Sequence, residues 1–265
     1  MVSDSTGETV GLVTRACLVQ FDTIDAHEHL WSMVRSKEQV QEILDGIREH
    51  PGFVLYTVVN EEIRAMLEDG CRKLQVPCIA VLDPIIAKLG VHLDAEVHPM
   101  PGRQHVMDAE YFNRIEAMHF VLSHDDGQMI RDLDQADVVL LGVSRTSKTP
   151  TSIYLANRGI KTANIPIVPG CALPEEMFTA SNPLVVGLTK EPKRLVEIRR
   201  QRLKLLDQDE GSDYVDLEKV SEEINEARRL FTKNNWPVIN VSHKSIEETA
   251  ATIIQLYNRR REEED

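Results

Sequence analysis

Apolar positions along the chain gather into short runs, and longer stretches of helical spacing separate them. Residues 53–59 form one such run, the mark of a buried strand, and residues 61–75 follow with helical period. Residues 76–82 form the next run, closed by Asp83-Pro84. This alternation predicts a parallel sheet with helices on its faces. Residues 90–107 break the rhythm: three histidines, two prolines and a glycine fall within 91–105, which reads as a surface connection between domains. A helix is predicted over 109–122 with Tyr111, Ile115, Met118 and Leu122 on one face, ending in the polar turn Ser123-His124-Asp125-Asp126-Gly127.

A second alternating block then begins. The pattern predicts a strand at 138–141, a loop at 142–149 and a helix at 150–157, with Pro150 suited to a first turn and Gly159 to a C-terminal cap. Further strands are predicted at 165–168, 184–188 and 238–241, and helices at 192–206 and 215–233. Ser245-Ile246-Glu247-Glu248 is a capping box that opens the last helix. The expected fold is α/β: a small doubly wound N-terminal domain over residues 1–104 and a P-loop-kinase-like C-terminal domain over 105–265. The strand expected ahead of the loop at residues 3–9 looks short, because little chain precedes it.

Charge narrows the function. The 265 residues carry a net charge of -13, which argues against general affinity for nucleic acid or an anionic membrane but leaves room for a local basic pocket. Cys17, Cys71, Cys78 and Cys171 form no C-x-x-C pair, so neither a ligand-spaced metal site nor a disulfide framework is supported, and a reducing cytoplasm is expected. No apolar run is long enough to span a membrane, and Met1-Val2-Ser3-Asp4 does not resemble a signal peptide. His27, His29, His92, His98, His105, His119 and His124 match no metal-binding spacing and read as surface residues.

The loop carries the chemistry. Gly142, Val143, Ser144, Arg145, Thr146, Ser147, Lys148 and Thr149 come close to the phosphate-loop pattern G-x-x-x-x-G-K-[ST], between a strand and a helix as that pattern requires. Backbone N–H groups in such a loop cradle phosphate oxygens, and the helix N-terminus adds a positive dipole. Lys148 would reach the transferring phosphate, Thr149 would hold Mg²⁺ through its hydroxyl, and Arg145 could clamp an oxyanion. Ser147 stands where the pattern has its second glycine. A left-handed serine costs roughly 1 kcal/mol, so either the loop carries that strain or its path differs.

Other residues qualify as site candidates. Asp125 or Asp126 could position an acceptor hydroxyl, with the other at Mg²⁺; a solvated turn is the alternative. Ser5, Thr6 and Gly7 belong to a hydroxyl-rich loop before a helix, either a phosphate contact or a simple helix cap. Arg199 and Arg200 lie on a basic helix and could neutralise transferring charge, or be a solvated face.

The segments 142–152 and 164–169, with residues 2–9, His124-Asp125-Asp126-Gly127 and Ser245-Ile246-Glu247-Glu248-Thr249, resemble the pyruvate, phosphate dikinase regulatory protein family, which includes the phosphoenolpyruvate synthase regulatory proteins. The resemblance covers nearly the whole chain. It implies two activities: transfer of phosphate from ADP to a threonine of pyruvate, phosphate dikinase, inactivating it, and removal of that phosphate by inorganic phosphate, releasing pyrophosphate. It also implies a homodimer, and it favours function for Asp125 and Asp126. Two other readings stand beside it: a P-loop kinase that phosphorylates a small metabolite with ATP, and a non-catalytic ADP-sensing module. The same regulatory activity directed at phosphoenolpyruvate synthase is a further variant. No N-K-x-D guanine signature is present, which argues against a GTPase.

Overall fold

A computed structural model describes residues 1–23, 25–103, 109–205 and 213–264. They fall into two compact units, Met1–Val106 and Met107–Asp265. The expected boundary at 104/105 lies outside the described residues, as does His105.

The N-terminal unit contains β1 (Val2–Ser3), α1 (Glu8–Leu18), α2 (Lys37–Glu49), β2 (Val54–Thr57), α3 (Glu61–Lys73), β3 (Cys78–Ala80) and α4 (Asp83–Leu93). Its strands are parallel in the order β1-β2-β3, with Val2 opposite Tyr56 and Val54 opposite Cys78. Val2, Val40, Ile43, Tyr56, Ile63 and Leu67 form the centre of its core. Two helices go beyond the sequence pattern. α2 starts at Ser36, whose side chain and Gln39 close a reciprocal capping box. α4 begins at Asp83-Pro84, which the sequence pattern treated as a stop. Proline in a first turn loses no helical hydrogen bond, and Asp83 sits at the positive end of the helix, so here the pair starts a helix.

The C-terminal unit contains α5 (Ala109–Ser123), β4 (Val138–Gly142), α6 (Lys148–Ala156), β5 (Thr162–Pro166), α7 (Glu176–Thr179), β6 (Leu184–Thr189), α8 (Pro192–Leu205), α9 (Leu217–Lys233), β7 (Val238–Asn240) and α10 (Ile246–Glu264). The sheet is parallel with order β5-β4-β6-β7. β4 is buried at every position, as a central parallel strand with both faces covered should be. Its side chains alternate: Val139 and Leu141 join the cluster under α8 and α9, while Val138 and Leu140 join the one under α6 and α10. The capping box at Ser245 and Glu248 forms as expected, with reciprocal bonds of 3.1 and 2.8 Å.

Two expectations need correction here. On α5 the buried residues are Ala117, Phe120 and Val121, whereas Ile115 and Leu122 are exposed. The face that packs is the one opposite β5 and α6, and it uses a small residue, Ala117, that a search for large apolar side chains passes over. β5 starts three residues before the predicted 165, because Thr162 and Asn164 are buried polar residues that break the apolar run without leaving the sheet.

Candidate functional site

The chain leaves β4, enters β5 on one side, and only later places β6 on the other. The carboxyl end of β4 is therefore the point where strand order reverses, the usual ligand crevice of an open parallel sheet. The loop at 142–149 occupies it. Gly142 is there for space: a Cβ would lie 2.6 Å from the Leu188 carbonyl oxygen and 2.7 Å from the Thr146 hydroxyl. Thr146 is buried and donates to the Val143 carbonyl at 2.9 Å, bracing the turn. α6 starts at Lys148, two residues before the predicted 150, and Pro150 still falls within its first turn. Ser147 precedes it with φ 65° and ψ 23°, and Arg145 has φ 72°. The loop thus carries the strain rather than avoiding it, at about 1–2 kcal/mol for each left-handed non-glycine residue.

Lys148 is 5% exposed, and its Nζ donates to the carbonyls of Gly142 at 2.8 Å and Val143 at 3.2 Å. Burial lowers its pKa to about 8; Asp126 and then Asp125 pull it back up, and Arg199 and Arg145 push it down. The ammonium therefore still carries its charge at neutral pH, by roughly ten to one.

Opposite the lysine, the turn after α5 presents its two aspartates differently. Thr149 Oγ1 donates to Asp125 Oδ1 at 2.9 Å. Asn164 Nδ2 donates to the same carboxylate oxygen and lies 2.9 Å from Thr149 Oγ1. Asp126 is exposed and left-handed at φ 50°, ψ 37°, and its carboxylate has no hydrogen-bond partner among the described residues. The turn is held by His124, whose carbonyl accepts the Asn164 N–H at 2.9 Å and whose ring stacks on Phe120 at 3.7 Å. His124 is 4% exposed, so the expectation of a surface histidine is corrected there: the ring closes the end of α5.

Arg199 is 1% exposed and committed within the protein. It pairs with Glu223 at 2.8 Å, donates to the Tyr214 carbonyl at 3.1 Å and to the Ser144 carbonyl at 3.2 Å, and lies over the Tyr214 ring. Ser144 Oγ meets Tyr214 OH at 3.2 Å. Arg199 therefore braces the loop from behind, and a direct contact with phosphate would require this network to open. Arg200, about 100° further round α8, is exposed and makes no contact with the loop among the described residues. Ser5, Thr6 and Gly7 belong to the N-terminal unit.

The sequence pattern missed Asn164, His124 and Tyr214 as parts of this site. Asn164 left no trace in the strand pattern, because it falls one residue before the predicted strand at 165–168 and joins β5 only in the structure. Tyr214 left none, because its place depends on how the chain folds back over α8.

A parallel α/β unit with a strained phosphate-loop-like turn, a buried lysine and a threonine–aspartate pair defines the class. Residues 1–254 match the kinase/pyrophosphorylase family model, and the chain belongs to that family. Relatives named pyruvate, phosphate dikinase regulatory protein include one from Paramagnetospirillum magneticum, 56% identical over 98% of this chain and 83% of its own length. Another, from Rhodospirillum rubrum, is 51% identical over 96% of this chain and 93% of its own. A third, from Sinorhizobium medicae, is 51% identical over 98% and 96%. Among the described residues no helix is long and apolar enough to cross a membrane.

Proposed function

We propose that this chain regulates pyruvate, phosphate dikinase by moving phosphate on and off one of its threonines. It uses ADP as donor in one direction and inorganic phosphate, with release of pyrophosphate, in the other. The observation that carries this reading is the single strained loop at the β4 crevice, with Lys148 below it and the Thr149–Asp125 pair beside it. One cradle suits the β-phosphate of ADP and free phosphate alike. The relatives' names supply the dikinase as target. Action in the cytoplasm and a homodimer belong to the same proposal.

Lys148 gives up its two carbonyl contacts to meet the transferring phosphoryl group, and loop amides hold the oxygens. Asp126, exposed and without a hydrogen-bond partner among the described residues, takes the proton of the acceptor hydroxyl. Thr149 and Asp125 would hold Mg²⁺. Their hard oxygens fit it, and the described residues contain no cluster of three or more metal-ligating side chains. That ion usually takes one or two carboxylates and completes its shell with phosphate and water. When bound, Mg²⁺ neutralises charge on the phosphate oxygens.

The test mixes the protein with dikinase and ADP labelled on the β-phosphate. Label should reach a dikinase threonine and leave as pyrophosphate when phosphate is added. Labelling from ATP alone, of a small molecule alone, or of phosphoenolpyruvate synthase alone would overturn the reading. Asp126→Asn should lower kcat by about 10²–10⁴-fold at an unchanged Mg²⁺ requirement. Asp125→Asn should instead raise the Mg²⁺ concentration needed for half-maximal rate. If the two variants behave alike, the division of labour is wrong.

A further inference from the structure

The N-terminal unit has a cavity of about 170 Å³ at the carboxyl ends of β1 and β2. Strand order reverses here too: Val2 bridges Trp31 on one side and pairs with Tyr56 on the other. That is the crevice where open parallel sheets receive ligands.

The wall is rich in hydroxyls, from Ser3, Ser5, Thr9 and Thr57. Ser3 and Thr57 bond each other at 3.0 Å. Ser5 differs. It is 8% exposed, its N–H donates to Ser3 Oγ at 3.2 Å, and its carbonyl accepts the Met33 N–H at 2.8 Å. Its own hydroxyl lines the cavity and has no partner among the described residues. It opens onto the cavity, where it is free to donate to an acceptor.

Positive charge converges on the same space. α1 opens at Gly7, φ 82°, with no side-chain cap, so its first-turn amides and dipole remain available to an anion. Arg103 lines the cavity. Arg35 donates from Nε to the Asp4 carbonyl at 2.9 Å, and its Nη2 lies 3.8 Å from where a Cβ on Gly102, another lining residue, would sit. Asp4 is the one carboxyl in the wall among the described residues. Its Oδ2 already accepts the Val59 N–H at 2.7 Å, and burial raises its pKa.

Pockets for whole drug-sized ligands run from about 300 to 1,000 Å³; this one is smaller and suits a single tetrahedral group. We propose that it is a second phosphate site, binding the phosphate of a small monoester or the free ion, separate from the loop at 142–149.

Calorimetric titration of the full chain with inorganic phosphate tests this, with Lys148→Ala used to disable the C-terminal loop. The Lys148→Ala protein should keep one saturable phosphate site. Adding Arg103→Met or Ser5→Val should weaken that site at least tenfold, and Arg103 is exposed, so its loss does not endanger the fold. No saturable binding in Lys148→Ala, or binding indifferent to both added changes, overturns the proposal. O-phosphothreonine as competitor separates the sources: displacement of phosphate points to a small monoester, and its failure beside retained phosphate binding points to the free ion. If Lys148→Ala leaves all phosphate binding unchanged and Arg103→Met removes it, the cavity stands and the phosphate role of the C-terminal loop falls.

Discussion

Each unit sets a loop at the carboxyl end of the strand where its sheet reverses order, and follows it with a helix whose first cap residue is left-handed. In the N-terminal unit that cap is Gly7, which takes φ 82° without cost. In the C-terminal unit it is Ser147, which does not, and Arg145 is left-handed as well. The first loop surrounds a small hydroxyl-lined space. The second keeps a lysine in the protein interior, between backbone carbonyls and facing two aspartates. The two loops share a backbone plan and differ in the charge buried beside them, the Asp4 carboxyl in the first and the Lys148 ammonium in the second.

The largest effect tests that buried charge. Lys148→Met should lower activity by about 10²–10³-fold in both directions, the usual cost of losing one preorganised electrostatic donor. The same change should stabilise the fold. Burial lowers the Lys148 pKa from 10.5 to about 8, so the folded state binds fewer protons than the unfolded chain between those values. Stability of the natural protein then carries its full penalty, about 3 kcal/mol, below pH 8, and recovers as pH rises toward 10.5. The Met variant should lack this pH-dependent gain and be the more stable at pH 7. Both carbonyls it abandons keep another donor, Ile167 N–H for Gly142 and Thr146 Oγ1 for Val143. Thermal unfolding at pH 7 and pH 10 checks this; a Met variant less stable at pH 7 would show that Lys148 is a structural strut.

The next effect separates the two glycines. At Gly142 an added methyl meets the Leu188 backbone oxygen and the buried Thr146, neither free to yield. Gly142→Ala should cost about 1–3 kcal/mol, as overpacking does. At Gly7 the obstacle is the end of the Leu30 side chain, 2.7 Å away, which can turn aside. What remains is the left-handed backbone, about 1–2 kcal/mol, less the entropy removed from the unfolded chain. Gly7→Ala should therefore cost about 1 kcal/mol. Urea midpoints rank the two, and a reversed order would mean that the C-terminal loop has more room than its geometry indicates.

The same contrast explains what the sequence made legible. β4, the loop and the helix after it stood out because a wholly apolar strand runs into a hydroxyl- and lysine-rich turn. Asp125 and Asp126 were visible as a pair, but their separate environments were not. That difference arises from Thr149 and Asn164 reaching Asp125 across the sheet, a contact spanning 39 residues in the case of Asn164. Arg199 looked like a free cation on a basic helix; its burial depends on Glu223 and Tyr214, brought together by the packing of α9 against α8. α4 was hidden because Asp83-Pro84 favours a helix start as much as a strand end. Patterns within one element were readable, whereas pairings between distant elements were not.

The smallest effect concerns the caps themselves. Ser147→Gly removes the steric cost of a left-handed serine, about 1 kcal/mol or slightly more. It also gives the unfolded chain more freedom, which takes back about 0.4–1 kcal/mol. No side-chain cap is lost, since Ser147 makes none. The net should be a gain of a few tenths of a kcal/mol, and Arg145→Gly should show the same sign for the same reason. Differential unfolding in urea against the natural protein resolves this when several replicate curves share one slope. If both variants are less stable, the left-handed turns at 145 and 147 are held by favourable contacts of those side chains, and the contrast with Gly7 would be one of packing, with no strain stored in the loop.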